Sequence, residues 1–302
     1  MHSLPHTLDL PFAPPYDVDA LLAAQRTHAV PGIDAPESPL AAPDTIQDRT
    51  AEPPDAVITR GIRHNGLRGT IRVTFGDDRV TLTSSLPIDA ELARRVRRWL
   101  DLDADPATAT EQFGTDPVIG PLIGKRPGLR IFGHIDDLEA ACFAVLGQQV
   151  SLASARTFQR RFVAAFGALD TATGFRHLPD AAEIAALDPL EIRDAIGLTR
   201  SRAATLHAVV GELAAGLTLD GDADSIRHRL LAITGIGPWT ADYLAVRAIG
   251  DRNAFPAGDL VLRRAMGAAD AREATRRSEP WHPLRAYATF HLWTEHAYCA
   301  VR

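Results

Sequence analysis

The residues best suited to chemistry lie in one C-terminal stretch. Leu231-Ala-Ile-Thr-Gly-Ile-Gly-Pro-Trp239 reads as a helix end, a glycine hairpin and the start of a second helix, and Asp259 follows. Gly235 and Gly237 let the backbone approach another group closely, while Ile236 anchors the turn inward. Pro238 suits a first helical turn, where its missing N–H costs nothing. Such a turn points free N–H groups and a positive helix end in one direction, which suits a phosphate. The hairpin therefore points to a nucleic-acid backbone. A carboxylate held beside a sugar could stabilise an oxocarbenium-like state, or orient and deprotonate a water for attack at the anomeric carbon. Each feature also has a plainer role: the turn as a packing corner between helices, Asp259 as a helix N-cap. For Asp259 the cap and the chemistry are compatible, because a helix N-terminus favours a carboxylate.

Aromatic residues surround this stretch in sequence. Trp239 and Tyr243 are four apart and share a helix face, and Trp293 sits on the last helix, two residues after His291. Aromatics at such spacing commonly serve as core. Electron-rich rings also suit flat, positively charged ligands such as alkylated bases. Gln148 and Gln149 lie in Val145-Leu-Gly-Gln-Gln-Val-Ser151, where one helix ends and another begins. They could be surface polarity, or fill the gap in a duplex from which a base has been extruded.

Several elements must position these groups. Residues 7–10, 57–64, 70–75 and 79–84 alternate as strands do, with Asn65-Gly66 and Gly76-Asp-Asp78 as turns. Residues 18–25 and 89–100 read as helices, the second with Leu92, Val96 and Trp99 on one side. Residues 31–56 hold six prolines, six acids and no aromatic residue, so a flexible insertion or linker is expected there. From about residue 116 the pattern becomes helical. Asp136 with Glu139 resembles a capping box opening a helix through Leu146. Ser151 or Ser154, Thr199, Asp222 or Asp224, and Asp259 each open a further helix, residues 239–249 are helical, and Pro283 starts the last helix through about Ala297. The expected architecture is α+β: an N-terminal domain over 1–115, built on a small antiparallel sheet, and a mostly helical region over 116–302 with the helix–hairpin–helix at about 225–249.

Composition narrows the partners. The net charge of −6 is concentrated in residues 1–117, which carry 11 Arg+Lys against 18 Asp+Glu, whereas residues 118–302 carry 21 against 20. The acidic total therefore does not oppose a nucleic-acid face near the hairpin, where local patches decide. Scattered arginines such as Arg247 and Arg263 could add salt-dependent phosphate contacts, the plainer reading of each being a solvated helix face. Two cysteines cannot supply four ligands to an iron–sulfur cluster or an all-cysteine zinc site. There is no long apolar run and no signal-peptide pattern at Met1-His-Ser-Leu-Pro-His, so a cytoplasmic protein without membrane contact is expected.

Taken in order, the Gln-Gln junction, the hairpin with Trp239, Asp259 and the C-terminal His291-Leu-Trp293 resemble the helix–hairpin–helix DNA glycosylase superfamily, and within it the 3-methyladenine DNA glycosylase II branch. Pro14-Pro-Tyr-Asp17 resembles the start of that branch's TATA-binding-protein-like N-terminal domain, and Arg126-Pro-Gly-Leu-Arg130 the lead-in to its two-lobed helical core. The resemblance implies Asp259 as catalytic aspartate and Trp239, Tyr243 and Trp293 as the base pocket. It implies Gly235, Ile236, Gly237, Gln148 and Gln149 as DNA contacts, with Gln149 at the intercalating position where a relative uses an apolar wedge. Leu260 stands where an aromatic can occur. No cofactor is required, although the family can hold a monovalent cation at the hairpin. The partner implied is duplex DNA carrying a damaged base, handled by a monomer. Members that cleave the strand through a Schiff base place a lysine just after the hairpin. Here that position is Trp239, and Lys125 is the sole lysine in the chain. A monofunctional alkylbase glycosylase is therefore expected. The same fold acting on deaminated or oxidised bases, and a non-enzymatic damage-binding module, are the alternatives.

Overall fold

The computed structural model describes residues 5–34 and 56–299. Four antiparallel strands run in the order β1-β4-β3-β2, with β1 at His6–Pro11, β2 at Val57–His64, β3 at Leu67–Phe75 and β4 at Arg79–Ser84. The Asn65-Gly66 turn closes the β2–β3 hairpin with both residues at positive φ, so His64 pairs with Leu67 and Val57 with Thr74. Alternation then sends Ile71, Val73, Val80 and Leu82 to one buried face. Helix α1 (Val18–His28) contributes Leu21 and Ala24 to this core, and α2 (Ala90–Trp99) contributes Leu92, Val96 and Trp99.

The helical part follows as α3 (Pro106–Phe113), α4 (Gly120–Lys125), α5 (Asp137–Leu146), α6 (Leu152–Phe166), α7 (Ala181–Ala185), α8 (Pro189–Ile196), α9 (Arg200–Ala214) and α10 (Ala223–Ala232). It continues with α11 (Pro238–Leu244), α12 (Leu260–Met266), α13 (Ala271–Ser278) and α14 (Arg285–Trp293). Caps explain most starts: Asp136, Ser151, Thr199, Asp222 and Asp259 each accept a backbone N–H of the first turn.

Two apolar clusters form two lobes. One joins the sheet, α1 and α2 to α12 and α14, and the other joins α5, α6 and α8 to α11. Tyr243 and Ile249 pack against both. The expected boundary at 115/116 is thus no break in packing, because the sheet shares its core with the last helices of the chain.

Several local expectations change. Helix α3 lies before residue 116, opened by Asp105 with Pro106 in its first turn. Asp136 caps α5, but the Glu139 side chain turns inward to Arg60 instead of closing a capping box. Pro283 precedes the last helix, which begins at Arg285. Residues 245–249 and 294–298 are π turns continuing α11 and α14. Of the expected insertion, residues 35–55 lie outside the described residues. Ile33 and Asp34 are buried, and Asp34 accepts the Val30 N–H at 2.8 Å. Among the described residues no helix is long and apolar enough to cross a membrane.

Candidate active site

The hairpin joins α10 to α11. Gly235 sits at φ +92, and a Cβ there would lie 1.9 Å from Thr205 Oγ1, so both backbone conformation and close packing demand glycine. Gly237 is different: it N-caps α11 in extended backbone, and a Cβ there would meet nothing within 4 Å. Its missing side chain keeps the face beside the helix N-terminus open. Ile236 is buried, as its anchoring role requires. The Gln148 amide nitrogen donates to Gly235 O at 3.0 Å and to Thr240 Oγ1 at 2.9 Å. Gln148 therefore braces the hairpin from behind. Arg202 in turn donates to Gln148 O at 2.7 Å. Gln149 is exposed at φ +51, a left-handed conformation that costs a non-glycine residue about 1 kcal/mol or more. The α5–α6 junction holds it out towards solvent.

Asp259 caps α12 through Oδ1, which accepts Val261 N–H at 3.0 Å and Leu262 N–H at 3.1 Å. Both tryptophans of the expected pocket also reach this carboxylate. Trp293 Nε1 donates to Oδ1 at 3.2 Å and Trp239 Nε1 to Oδ2 at 3.0 Å. Oδ1 thus takes three donors and Oδ2 one, leaving Oδ2 as the oxygen with acceptor capacity to spare.

The three aromatics form one cluster. Trp239 and Tyr243 are stacked at 5.4 Å and 21°, and Tyr243 meets Trp293 at 6.0 Å and 50°. With 5.4 Å between ring centres no base fits between Trp239 and Tyr243. Behind the cluster, His134 sets its edge against Tyr243. Burial lowers the His134 imidazole, and Nδ1 faces Glu139 Oε1 at 3.2 Å. Burial would raise Glu139, but Arg60 and His134 outweigh it and hold the carboxyl down at about 2.

Two family descriptions match the chain: the AlkA N-terminal domain over residues 7–136, and the HhH-GPD superfamily base excision DNA repair protein over residues 142–280. A DNA-3-methyladenine glycosylase of Bacillus subtilis is 30% identical over 259 residues, which cover 78% of this chain and 85% of that protein. The chain belongs to the AlkA-like DNA-3-methyladenine glycosylase family. A probable bifunctional transcriptional activator/DNA repair enzyme AlkA of Mycobacterium tuberculosis is 40% identical over 255 residues, 77% of this chain and 51% of its own length. The chain therefore spans about half the length of that relative. The solved 3-methyladenine DNA glycosylase of Archaeoglobus fulgidus superposes with a TM-score of 0.79 at 18% identity, covering 98% of this chain and all of that one, a likeness of fold.

Within this AlkA-like frame, one sequence reading needs correction: Arg247 is only 2% exposed and cannot meet a phosphate. Arg263 donates one Nη2 hydrogen bond to Ala269 O beyond the end of its own helix, α12. The sole lysine, Lys125, pairs with Glu295 at 2.8 Å. Sequence reasoning also missed Thr205, Arg202 and His134, whose roles depend on packing between distant segments. Only the glycine at 235 hinted that something presses against the turn.

Proposed function

We propose that this protein is a monofunctional DNA glycosylase that hydrolyses the N-glycosidic bond of alkylated bases in duplex DNA. The observation that carries the reading is the Asp259 carboxylate, aimed by two indole N–H groups that belong to the aromatic cluster itself. The hairpin's open Gly237 face and the α11 N-terminus take a backbone phosphate, while Gln149 occupies the space left by an extruded nucleotide. The flipped base stacks on the outer aromatic surface. As the bond to the base breaks, positive charge develops on the sugar, and Asp259 stabilises it while Oδ2 accepts a hydrogen bond or proton from the attacking water. Trp239 after the hairpin supplies no amine, so the product is an abasic site in an intact strand. Ile233 O and Gly235 O each accept one protein hydrogen bond and keep a second lone pair, so the turn retains oxygens for a monovalent cation, whose charge would favour the phosphate. A monomer acting in the cytoplasm completes the proposal.

The test is base release from duplexes carrying 3-methyladenine or 7-methylguanine, run beside hypoxanthine, uracil and oxidised bases. The native protein should release the alkylated bases, and borohydride should trap no covalent adduct. Asp259→Asn keeps a capping side chain and should retain DNA binding, while excision falls by about 100-fold or more. Normal excision by that variant would reject the mechanism.

A further inference from the structure

We propose that Arg202 is a positioning residue for base extrusion: it locks the α5–α6 junction so that Gln149 stands in the left-handed conformation that projects it towards the duplex. The inference rests on the glycosylase reading above and deepens it, because it concerns the side chain that fills the vacated space. Gln149 is exposed at φ +51, in backbone that a non-glycine residue keeps only where its surroundings over-determine it. The Gln148 carbonyl just before it accepts Arg202 Nη2 at 2.7 Å. The Gln148 side chain is held separately, by Gly235 O at 3.0 Å and Thr240 Oγ1 at 2.9 Å. A peptide unit is planar, so the Gln148 carbonyl and the Gln149 N–H turn together. A half-turn of that unit would give Gln149 an ordinary negative φ, and it would also carry the carbonyl away from Arg202. The Arg202 hydrogen bond therefore opposes a local motion that would relieve the strain.

Arg202 is itself fixed. Its backbone N–H donates to the Thr199 cap of α9 at 3.3 Å, and its half-buried guanidinium lies 5.6 Å from the Phe158 ring centre on α6. A charged donor makes the bond to the Gln148 carbonyl stronger than a neutral one would. Almost one turn further along α9, Thr205 packs against Gly235. One helix thus carries both the Gln148–Gln149 turn and the hairpin. That shared mount sets the spacing between the phosphate contact and the residue that enters the duplex.

The experiment measures kcat and KM for 7-methylguanine release, and affinity for an undamaged duplex. It compares the native protein with Arg202→Met, Arg202→Gln, Arg202→Lys and Gln149→Gly, and with each neutral Arg202 variant combined with Gln149→Gly. Circular dichroism checks each fold, and two neutral variants are included because one could fail to fold. In the neutral variants kcat should fall by about fivefold or more while KM and undamaged-duplex affinity stay within about twofold, and Arg202→Lys, which keeps a charged donor, should lose less. In the Gln149→Gly background the same substitutions should change kcat by less than about twofold, because glycine leaves no side chain to aim. Losses that multiply in the combined variants would show a packing role only and overturn the proposal. Weaker binding to the undamaged duplex with kcat unchanged would make Arg202 a phosphate contact and overturn it too, as would native-like kinetics in the neutral variants. A native protein that releases no alkylated base would instead reject the glycosylase reading.

Discussion

Asp259 receives hydrogen bonds from two indoles that arrive on different elements, Trp239 at the start of α11 and Trp293 at the end of α14. Stacking and aiming are therefore properties of the same side chains, and a substitution can separate them. Trp239→Phe keeps an aromatic face and deletes the donor to Oδ2. We expect kcat for alkylated-base excision to fall by about tenfold while KM changes by less than about twofold, measured under single-turnover and steady-state conditions. A raised KM with unchanged kcat would show that Trp239 acts by stacking alone. The residue types of this site were legible in the sequence, because a carboxylate, a glycine turn and nearby tryptophans are local facts. The indole-to-carboxylate geometry was not, since it joins positions up to 34 residues apart.

At the scale of the element, the hairpin's two glycines have separable purposes. Gly235→Ala forces a side chain into left-handed backbone and against Thr205, and should cost about 2 kcal/mol or more of stability in urea unfolding. Gly237→Ala sits in permitted backbone with open space around it, so stability should be unchanged. If that open face takes a backbone phosphate as proposed, the added Cβ should weaken affinity for duplex DNA by about tenfold. Equal DNA affinity in Gly237→Ala would remove the hairpin from the interface. Helix caps and strand alternation could be read from sequence because each is set within a few residues. The π turns could not: a register change of one residue leaves no periodic signature, yet one of them carries Arg247 into the core. The inward turn of Glu139 was equally hidden, since its partner Arg60 lies 79 residues away on β2.

For the whole molecule, the decisive feature is a core continuous from the N-terminal sheet to α14, with titratable groups buried inside it. Burial holds His28 well below the ordinary histidine value, lowers His134, and with Arg126 holds His291 at about 3. A histidine depressed in the folded state gives stability that is complete above its unfolded value near 6.5. That stability is lost as pH falls towards the folded value, because only the unfolded chain takes up the proton. Asp101 works oppositely, since burial raises it to about 6, so acidification from that value towards the usual carboxylate range favours the folded chain. The summed pH profile mixes these signs, and a difference between two proteins isolates one of them. His291→Gln removes one buried imidazole from α14 and should change stability by different amounts at different pH. Measured by urea unfolding, the stability of the native protein relative to this variant should drop by about 2 kcal/mol between pH 7.5 and pH 5. A difference that stays constant over that interval would mean that His291 takes up its proton in the folded core, and that the packing of α14 against the sheet domain yields to a charge.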